Sequence, residues 1–175
     1  VDDVFEKTKY MNGVNGARCT VELKKKPRFA YQMPHDTHCF GLTFDEQKRI
    51  REFEENNFDL KLAWLLSEAQ ITKQGCFDML NSAGIKLPAM YALGFKNNNC
   101  IGCVKATSPK YWNLVRKTNP DVFARRARQS REIGCRLARL NGERIFLDDL
   151  PPEAEQDNKE DTSCGPQCKA PDDAK

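Results

Sequence analysis

The chain has 175 residues and a formal net charge of +3, with 39% hydrophobic and 30% charged residues. This length suits one domain with one ordinary core, and the high charged fraction keeps much of the chain solvated. An apolar run of about 18 residues is absent, which excludes a membrane-spanning helix, and the N-terminal sequence lacks the basic and apolar regions of a signal peptide. We therefore expect a cytoplasmic protein without a membrane partner.

In the first half, five segments have recognisable patterns. Residues 1–18 are polar and turn-rich, and a helix start over 18–27 is expected to end at its proline. A buried strand over 38–44, a helix over 45–53 and a second strand over 59–66 follow. Strand and helix thus come first in the chain.

In the second half, helical spacing dominates. Helices are predicted over 72–83, 88–93, 108–117 and 121–140. A short strand-like segment, 144–147, comes after them. The order predicts an α/β fold with a helical C-terminal portion. We expect one folded domain over 1–150 and an acidic, cysteine-containing tail over 151–175.

Charge is distributed unevenly along the second half. Residues 110–144 contain ten Lys and Arg against three Asp and Glu, whereas residues 148–175 contain nine Asp and Glu against three Lys. A basic segment before an acidic tail favours a phosphate-rich ligand, with the tail folding back over it. The alternative is a solvated helix face followed by a disordered tail, in which most of the arginines contact only water.

Four of the eight cysteines form two closely spaced pairs, Cys100-x-x-Cys103 and Cys164-x-x-x-Cys168. In a reducing compartment such pairs more often bind metal or do redox chemistry than form structural disulfides. A two-residue gap lets the thiolates of Cys100 and Cys103 reach one metal ion, with a redox dithiol or a packed pair as alternatives. Cys164 and Cys168 are the obvious further ligands, and thiolates suit both zinc and a [4Fe–4S] cluster.

The other cysteines give weaker signals. Cys39, Cys76 and Cys135 lie in apolar or helical segments, where a buried structural role is the usual one.

Three stretches carry a recognisable pattern in a fixed order. They are Arg18-Cys19-Thr20-x-x-Leu23-Lys24-x-x-Pro27, then Gly41-Leu42-Thr43-x-Asp45-Glu46-x-x-Arg49, then Gly84-Ile85-Lys86-Leu87-Pro88-x-x-Tyr91-x-x-Gly94-Phe95 followed by Cys100-Ile101-Gly102-Cys103. Together they resemble the phosphoadenosine-phosphosulfate (PAPS) reductase family of adenine-nucleotide hydrolase-like proteins, particularly its phage and prophage members. The resemblance covers residues 17–150.

The resemblance implies a fold, an activity and a set of site residues. The fold would be part of the family's adenine-nucleotide-hydrolase-like sheet, and the activity thiol-dependent reduction of sulfur on an adenylyl nucleotide with a thiol reductant protein as partner. The nucleotide contacts that the motifs imply are Arg18, Lys24, Gly41, Glu46 and Arg49.

The resemblance also bears on two cysteines. Cys19 becomes a rival metal ligand, and Cys164 matches the nucleophilic cysteine of the family's C-terminal motif. Cys164 therefore has two competing roles, nucleophile and metal ligand, and a place in a disordered tail is the third reading.

Three departures from the family pattern are visible. The Ser-Gly-Gly-Lys-Asp-Ser loop that wraps phosphate in relatives does not occur. Thr43 stands where reductases have an arginine, and Thr20 where they have a second cysteine. We expect either a missing N-terminal half, its supply by another chain, or loss of nucleotide binding through that loop. The alternative partner is a second copy of the chain in a homo-oligomer.

Two other functions remain open from the sequence. One is an ATP-dependent sulfurtransferase or other modification enzyme of the same superfamily that acts on nucleic acid. The other is a non-catalytic zinc module whose basic helix contacts a partner or nucleic-acid phosphate.

Overall fold

A computed structural model describes residues 1–14 and 16–158. These residues form a mixed α/β structure that divides into two compact units. Unit 1 contains Val1–Pro27 and the described residues from Ala89 onward, and unit 2 contains Arg28–Pro88. Residues expected to form a single domain therefore belong to both units. Cys164 and Cys168 lie outside the described residues.

The described helices are α1 (Asp2–Thr8), α2 (Arg18–Thr20), α3 (Lys26–Tyr31), α4 (Gln47–Asn56), α5 (Leu65–Glu68), α6 (Lys73–Ser82), α7 (Ala89–Ala92), α8 (Pro109–Thr118) and α9 (Pro120–Ile133). A π-helical turn, Val21–Lys25, joins α2 to α3, and a 3-10 turn, Phe44–Glu46, precedes α4. The described strands are β1 (Thr37–Cys39), β2 (Lys61–Ala63), β3 (Ala138–Leu140) and β4 (Glu143–Ile145).

The core of unit 1 forms around the α8–α9 helix pair. Trp112 and Val115 of α8 are fully buried, and Phe5 of α1 is buried in the same cluster. The indole N–H of Trp112 donates to the carbonyl oxygen of Ala106 at 2.9 Å, so this buried donor is satisfied. Unit 1 thus has the larger of the two cores.

Proline and glycine set the boundaries of α8 and α9. Pro109 and Pro120 stand in the first turns of the two helices, where a missing N–H costs nothing. Gly134 ends α9 in the left-handed region, with φ at 77°. The expectation that this helix runs to residue 140 is wrong, because the glycine cap ends it seven residues earlier.

The residues beyond that cap form a hairpin. β3 pairs antiparallel with β4, and Leu140 lies opposite Glu143. Asn141 and Gly142 make the two-residue turn with φ values of 51° and 88°, as a type I′ turn requires. The strand-like segment predicted after this Asn-Gly pair is therefore confirmed as β4.

Unit 2 contains a parallel β–α–β arrangement. β1 pairs parallel with β2, with Thr37 opposite Lys61 and Cys39 opposite Ala63, and α4 lies between them in sequence. Helix α6 begins after Thr72, whose hydroxyl accepts from the N–H of Gly75 at 3.0 Å. Both strands and the helices α4 and α6 were expected, but the strands are shorter than predicted, and α5 begins at Leu65, inside the second predicted strand.

A small aromatic cluster forms the core of unit 2. Phe53 and Trp64 meet edge to face with ring centroids 5.7 Å apart, beside buried Leu42 and Ile50. The Trp64 indole N–H donates to Glu54 Oε1 at 2.8 Å. These contacts hold α4 on the segment that follows β2.

Two expectations for the N-terminal part are wrong. Residues 1–18 are not all turn, because α1 forms and buries Phe5. Pro27 does not end its helix, since α3 continues to Tyr31. Pro27 is the second residue of α3, and a proline in the first turn of a helix is tolerated.

Candidate functional site

The Cys100–Cys103 segment, called the cysteine turn below, lies in unit 1 between α7 and α8. Gly102 has a φ of 68°, and a Cβ built on it would lie 2.8 Å from Val122 Cγ1 of α9. Only glycine fits this position, because any side chain would be strained and would collide with that helix. The backbone of the turn is therefore packed directly against α9.

A buried arginine fixes the same turn. Arg126 is 5% exposed, and its Nε donates to the carbonyl oxygen of Gly102 at 3.1 Å. Its Nη1 donates to Asp2 of α1 and to Gln129. The guanidinium thus joins the turn, α1 and α9 through charge-assisted hydrogen bonds.

The ionisation of Asp2 follows from this network. Burial raises the pKa of Asp2, but the hydrogen bond from Arg126 and the charges of Arg126 and Arg125 together hold it below its usual value. Asp2 therefore remains a carboxylate at neutral pH and is the counter-charge of the buried Arg126.

The hydroxyl of Tyr111 holds the two ends of the turn. The N–H of Cys103 donates to this hydroxyl at 2.9 Å, and the hydroxyl donates to the carbonyl oxygen of Cys100 at 3.2 Å. Burial raises the pKa of Tyr111 above its ordinary value, so it keeps the proton that it donates. The spacing of the two cysteines is thereby fixed by a side chain of α8.

The two cysteines of the turn differ in exposure. Cys100 is exposed, whereas Cys103 is buried. Cys19 is half-buried and packs against the core of unit 1. Within the described ranges, no group of three or more Cys, His, Asp or Glu side chains gathers as a metal site would require. Cys19, Cys100 and Cys103 thus do not make a metal site by themselves, and the predicted four-ligand site depends on Cys164 and Cys168.

The cysteines expected to be buried are not. Cys39 is exposed, so that expectation is wrong for it, and Cys76 and Cys135 are half-buried. Cys39 is the last residue of β1 and lies on the exposed face of that strand. The apolar residues beside it in the sequence had suggested a buried position.

Two of the predicted nucleotide contacts, Arg18 and Lys24, lie in unit 1 on the helical segment that begins at α2. Arg18 Nη2 lies 2.9 Å from Glu22 Oε1, and Lys24 is exposed. The charge of Arg18 is therefore partly compensated within its own helical segment.

The other three predicted contacts, Gly41, Glu46 and Arg49, lie in unit 2 just after β1. Glu46 accepts from the backbone N–H of Thr43 at 3.0 Å and forms an ion pair with Arg49. This is a capping box, which stabilises the start of the helical crossover. Gly41 is exposed, and a Cβ there would only touch Leu66 at 4.0 Å, so packing does not require a glycine.

Sequence analysis missed the residues that fix the cysteine turn. It assigned neither Tyr111 nor Arg126 to this turn. The one available signal was the glycine inside Cys-Ile-Gly-Cys, which predicts a turn with positive φ.

Comparisons with known proteins add no family. No family model, no curated protein and no solved structure matches the chain. Within the part of the chain that the structure describes, every helix is too short or too polar to cross a membrane.

Proposed function

We propose that the chain belongs to the PAPS reductase family and acts on the sulfur of an adenylyl nucleotide in a thiol-dependent reaction. The observation that carries the proposal is the built cysteine turn, with Gly102 against α9 and Tyr111 holding both ends. A turn fixed by a buried arginine and a buried hydroxyl goes beyond what packing of two cysteines requires. The order of the three motifs supplies the family.

The parallel β–α–β arrangement of unit 2 supports a nucleotide-binding fold. In open α/β sheets, ligands bind beyond the carboxyl ends of the parallel strands. Gly41 lies just beyond β1, and Arg49 follows on the crossover helix α4. In the proposal, this edge is the remnant of the adenine-nucleotide-hydrolase-like sheet, and a nucleotide phosphate competes with Glu46 for Arg49.

The sulfur chemistry can be written with thiols alone. The thiolate of Cys164 attacks the sulfur of the phosphosulfate group, and the S–O bond to phosphate breaks, so that adenosine 3′,5′-bisphosphate leaves with the bonding electron pair. The enzyme then carries a thiosulfonate. A thiol of a reductant protein attacks Cys164 Sγ, sulfite leaves, and a second thiol of the reductant closes its disulfide and supplies the remaining electrons. Cys164 takes this role from the family motif alone.

A metal is not part of this scheme. The described residues supply only the two thiols of the cysteine turn and do not complete a zinc or [4Fe–4S] site. Zinc or a cluster stays a prediction that depends on Cys164 and Cys168. If Cys164 is a permanent ligand, it is unavailable as the nucleophile, so the two roles exclude each other.

The test is thioredoxin-dependent release of sulfite from PAPS by the full-length protein. We expect release by the natural protein, none from Cys164→Ser, and normal release from Cys76→Ser, which changes a half-buried cysteine on α6. Without reductant, the natural protein should gain the mass of one sulfo group at Cys164.

Four outcomes would reject the proposal. One is the absence of sulfite with the full-length protein, and another is release that survives Cys164→Ser. The third is ATP-dependent transfer of sulfur to nucleic acid without sulfite, which would identify the sulfurtransferase instead. Bound zinc with no binding of PAPS or ATP would identify the non-catalytic module.

A further inference from the structure

Unit 1 contains an open cavity of 620 Å³ between the segment after α1 and the end of α9. One wall is residues 9–14, and the other is residues 133–136 together with Arg144. The volume lies within the range of about 300–1,000 Å³ that small-ligand sites occupy. The described residues of the cysteine turn and of the proposed nucleotide contacts do not line it.

The lining is strongly basic. Lys9, Arg136 and Arg144 contribute three positive charges, and none of the described residues that line the cavity is acidic. The arginines of α9 differ from these three cations, because each of them pairs with a carboxylate: Arg125, Arg126, Arg128 and Arg131. None of the ion pairs among the described residues includes one of the three cations of the cavity. No carboxylate among the described residues therefore compensates their charge.

Two helix ends reduce this charge without cancelling it. Lys9 caps the C-terminus of α1, and Gly134 caps that of α9. Each helix C-terminus carries a partial charge of about −0.5, so the cavity keeps a net charge of about +2. A phosphate monoester carries about −1.5 to −2 at pH 7 and matches this value. A neutral or cationic ligand would leave the charge uncompensated.

The walls are held in place by contacts of their own. Cys135 Sγ donates to the carbonyl oxygen of Asn12 at 3.3 Å and so ties one wall to the other. Burial raises the pKa of the Cys135 thiol, which keeps its proton and adds no negative charge. The Tyr10 hydroxyl lies over Gly13, 2.5 Å from the position of a Cβ there, so a side chain at this position would displace the end of the tyrosine.

The cations are held at different depths. Arg144 is half-buried, and its Nη1 donates to the carbonyl oxygen of Leu137 at 3.2 Å, which orients the guanidinium. Arg136 is exposed and lies 5.5 Å from the centroid of the Phe146 ring. Lys9 is exposed on the opposite wall. Cations therefore approach the cavity from both walls, as recognition of a phosphate requires.

We propose that this cavity binds a phosphate monoester on a ligand of nucleotide size, with Lys9, Arg136 and Arg144 contacting the phosphate. The rest of the lining includes the aromatic ring of Tyr10 and the aliphatic side chain of Ile133, which suit a base or sugar better than a second anion. The cavity shares no residue with the cysteine turn or with the proposed nucleotide contacts Arg18, Lys24, Gly41, Glu46 and Arg49, and the proposal does not depend on the sulfur chemistry.

Calorimetry with adenosine 5′-monophosphate tests the proposal on the full-length protein, with adenosine as the ligand that lacks a phosphate. The double variant Lys9→Asn/Arg136→Gln changes two exposed residues, and asparagine tolerates the positive φ of 52° at position 9. We expect it to weaken binding of the nucleotide at least about tenfold, since it removes two charge-assisted contacts. Arg128→Gln is the matched control, because Arg128 is an exposed arginine of α9 with its own partner, Glu132, and it should bind like the natural protein.

The site is located by amide chemical shifts, which should move in residues 9–14 and 134–136 when the nucleotide is added. Adenosine that binds as tightly as the nucleotide would overturn the proposal. So would equal affinity in the double variant and the natural protein, or the absence of binding at millimolar nucleotide. If the double variant has the circular-dichroism spectrum and melting temperature of the natural protein, loss of fold is excluded as the cause of its weaker binding.

Discussion

Arg126 and Gly102 are joined by a hydrogen bond of 3.1 Å from Nε to the carbonyl oxygen, and the same arginine side chain closes the space above the glycine. Gly102 adopts the positive φ that the turn needs, and the charged side chain of Arg126 holds the turn by its hydrogen bond to the glycine carbonyl. Because Arg126 also binds Asp2, a single side chain links the cysteine turn to helix α1 through hydrogen bonds. The shape of this turn is thus a property of unit 1 as a whole.

Gly102→Ala should destabilise the protein more than Gly134→Ala, which is its matched control. Both glycines have positive φ, 68° and 77°, so both substitutions carry the left-handed cost of about 1–2 kcal/mol. At Gly134 an added Cβ meets nothing within 4 Å, whereas at Gly102 it would lie 2.8 Å from Val122 and 3.2 Å from Arg126. We expect a further loss of about 1–3 kcal/mol from this overlap.

Urea unfolding of the two variants gives the two free energies of unfolding. The interpretation of the turn as packed against α9 would be wrong if both variants lost the same amount.

Arg126→Met should lower the free energy of unfolding by about 2 kcal/mol, because it leaves Asp2, Gln129 and the Gly102 carbonyl without their donor. Arg125→Met is the control. Arg125 lies 3.3 Å from Asp2 but is 41% exposed, so its ion pair should contribute about 0–1 kcal/mol. Thermal or urea unfolding separates the two, and equal losses would contradict a special role for the buried arginine.

The Asp2 carboxylate should make stability depend on pH at the acid end. Burial raises its pKa, but the hydrogen bond and charge of Arg126, with the charge of Arg125, leave it lower in the folded than in the unfolded state. The stabilisation is then fully present above the unfolded pKa of about 4 and is lost as the pH falls through the folded value.

Asp2→Asn should therefore be less stable than the natural protein at neutral pH and converge with it in acid. Asp3→Asn, which removes an exposed carboxylate in the same helical turn, is the matched control. Urea unfolding across this pH range measures both, and a constant difference for Asp2→Asn would refute the linkage.

Local signals predicted much of the helical structure. The Ser108-Pro109 start of α8 and the Thr72 cap of α6 are encoded within a few residues, and both helices begin where expected. The Asn141-Gly142 turn likewise predicted the start of a strand. Errors arose where two local signals competed, as at Gly134, where a stop signal lies inside an extended helical period.

The candidate site was less accessible to such reasoning. The partner of Arg126 is Asp2, 124 residues away, and the tertiary structure alone brings the two together. The sequence does not distinguish an arginine that is buried against a carboxylate from one that is solvated. The basic segment 110–144 contains both kinds. The cysteine pair was found because its ligand spacing is local.

In unit 2, Glu46→Ala should destabilise the start of α4. Its carboxylate accepts from the Thr43 N–H at 3.0 Å and pairs with Arg49, so its removal should cost about 1–2 kcal/mol. Glu55→Ala, at an exposed position of the same helix, is the control. Hydrogen exchange of the α4 amides should accelerate in Glu46→Ala only, and unchanged exchange would show that the capping box contributes little.

Tyr111→Phe should change the reactivity of the cysteine turn. It removes the hydroxyl that accepts from Cys103 N–H at 2.9 Å and donates to the Cys100 carbonyl at 3.2 Å. In the natural protein, exposed Cys100 should be alkylated quickly and buried Cys103 slowly. Losing two hydrogen bonds of about 1 kcal/mol each should accelerate alkylation of Cys103 at least about tenfold.

Peptide mapping by mass spectrometry after timed alkylation measures the two rates separately. Tyr31→Phe, which changes a hydroxyl on a side chain that is 84% exposed, is the control and should leave both rates unchanged. A Cys103 rate that stays slow in Tyr111→Phe would mean that burial alone protects this thiol. The hydroxyl would then stabilise the turn without controlling access to it.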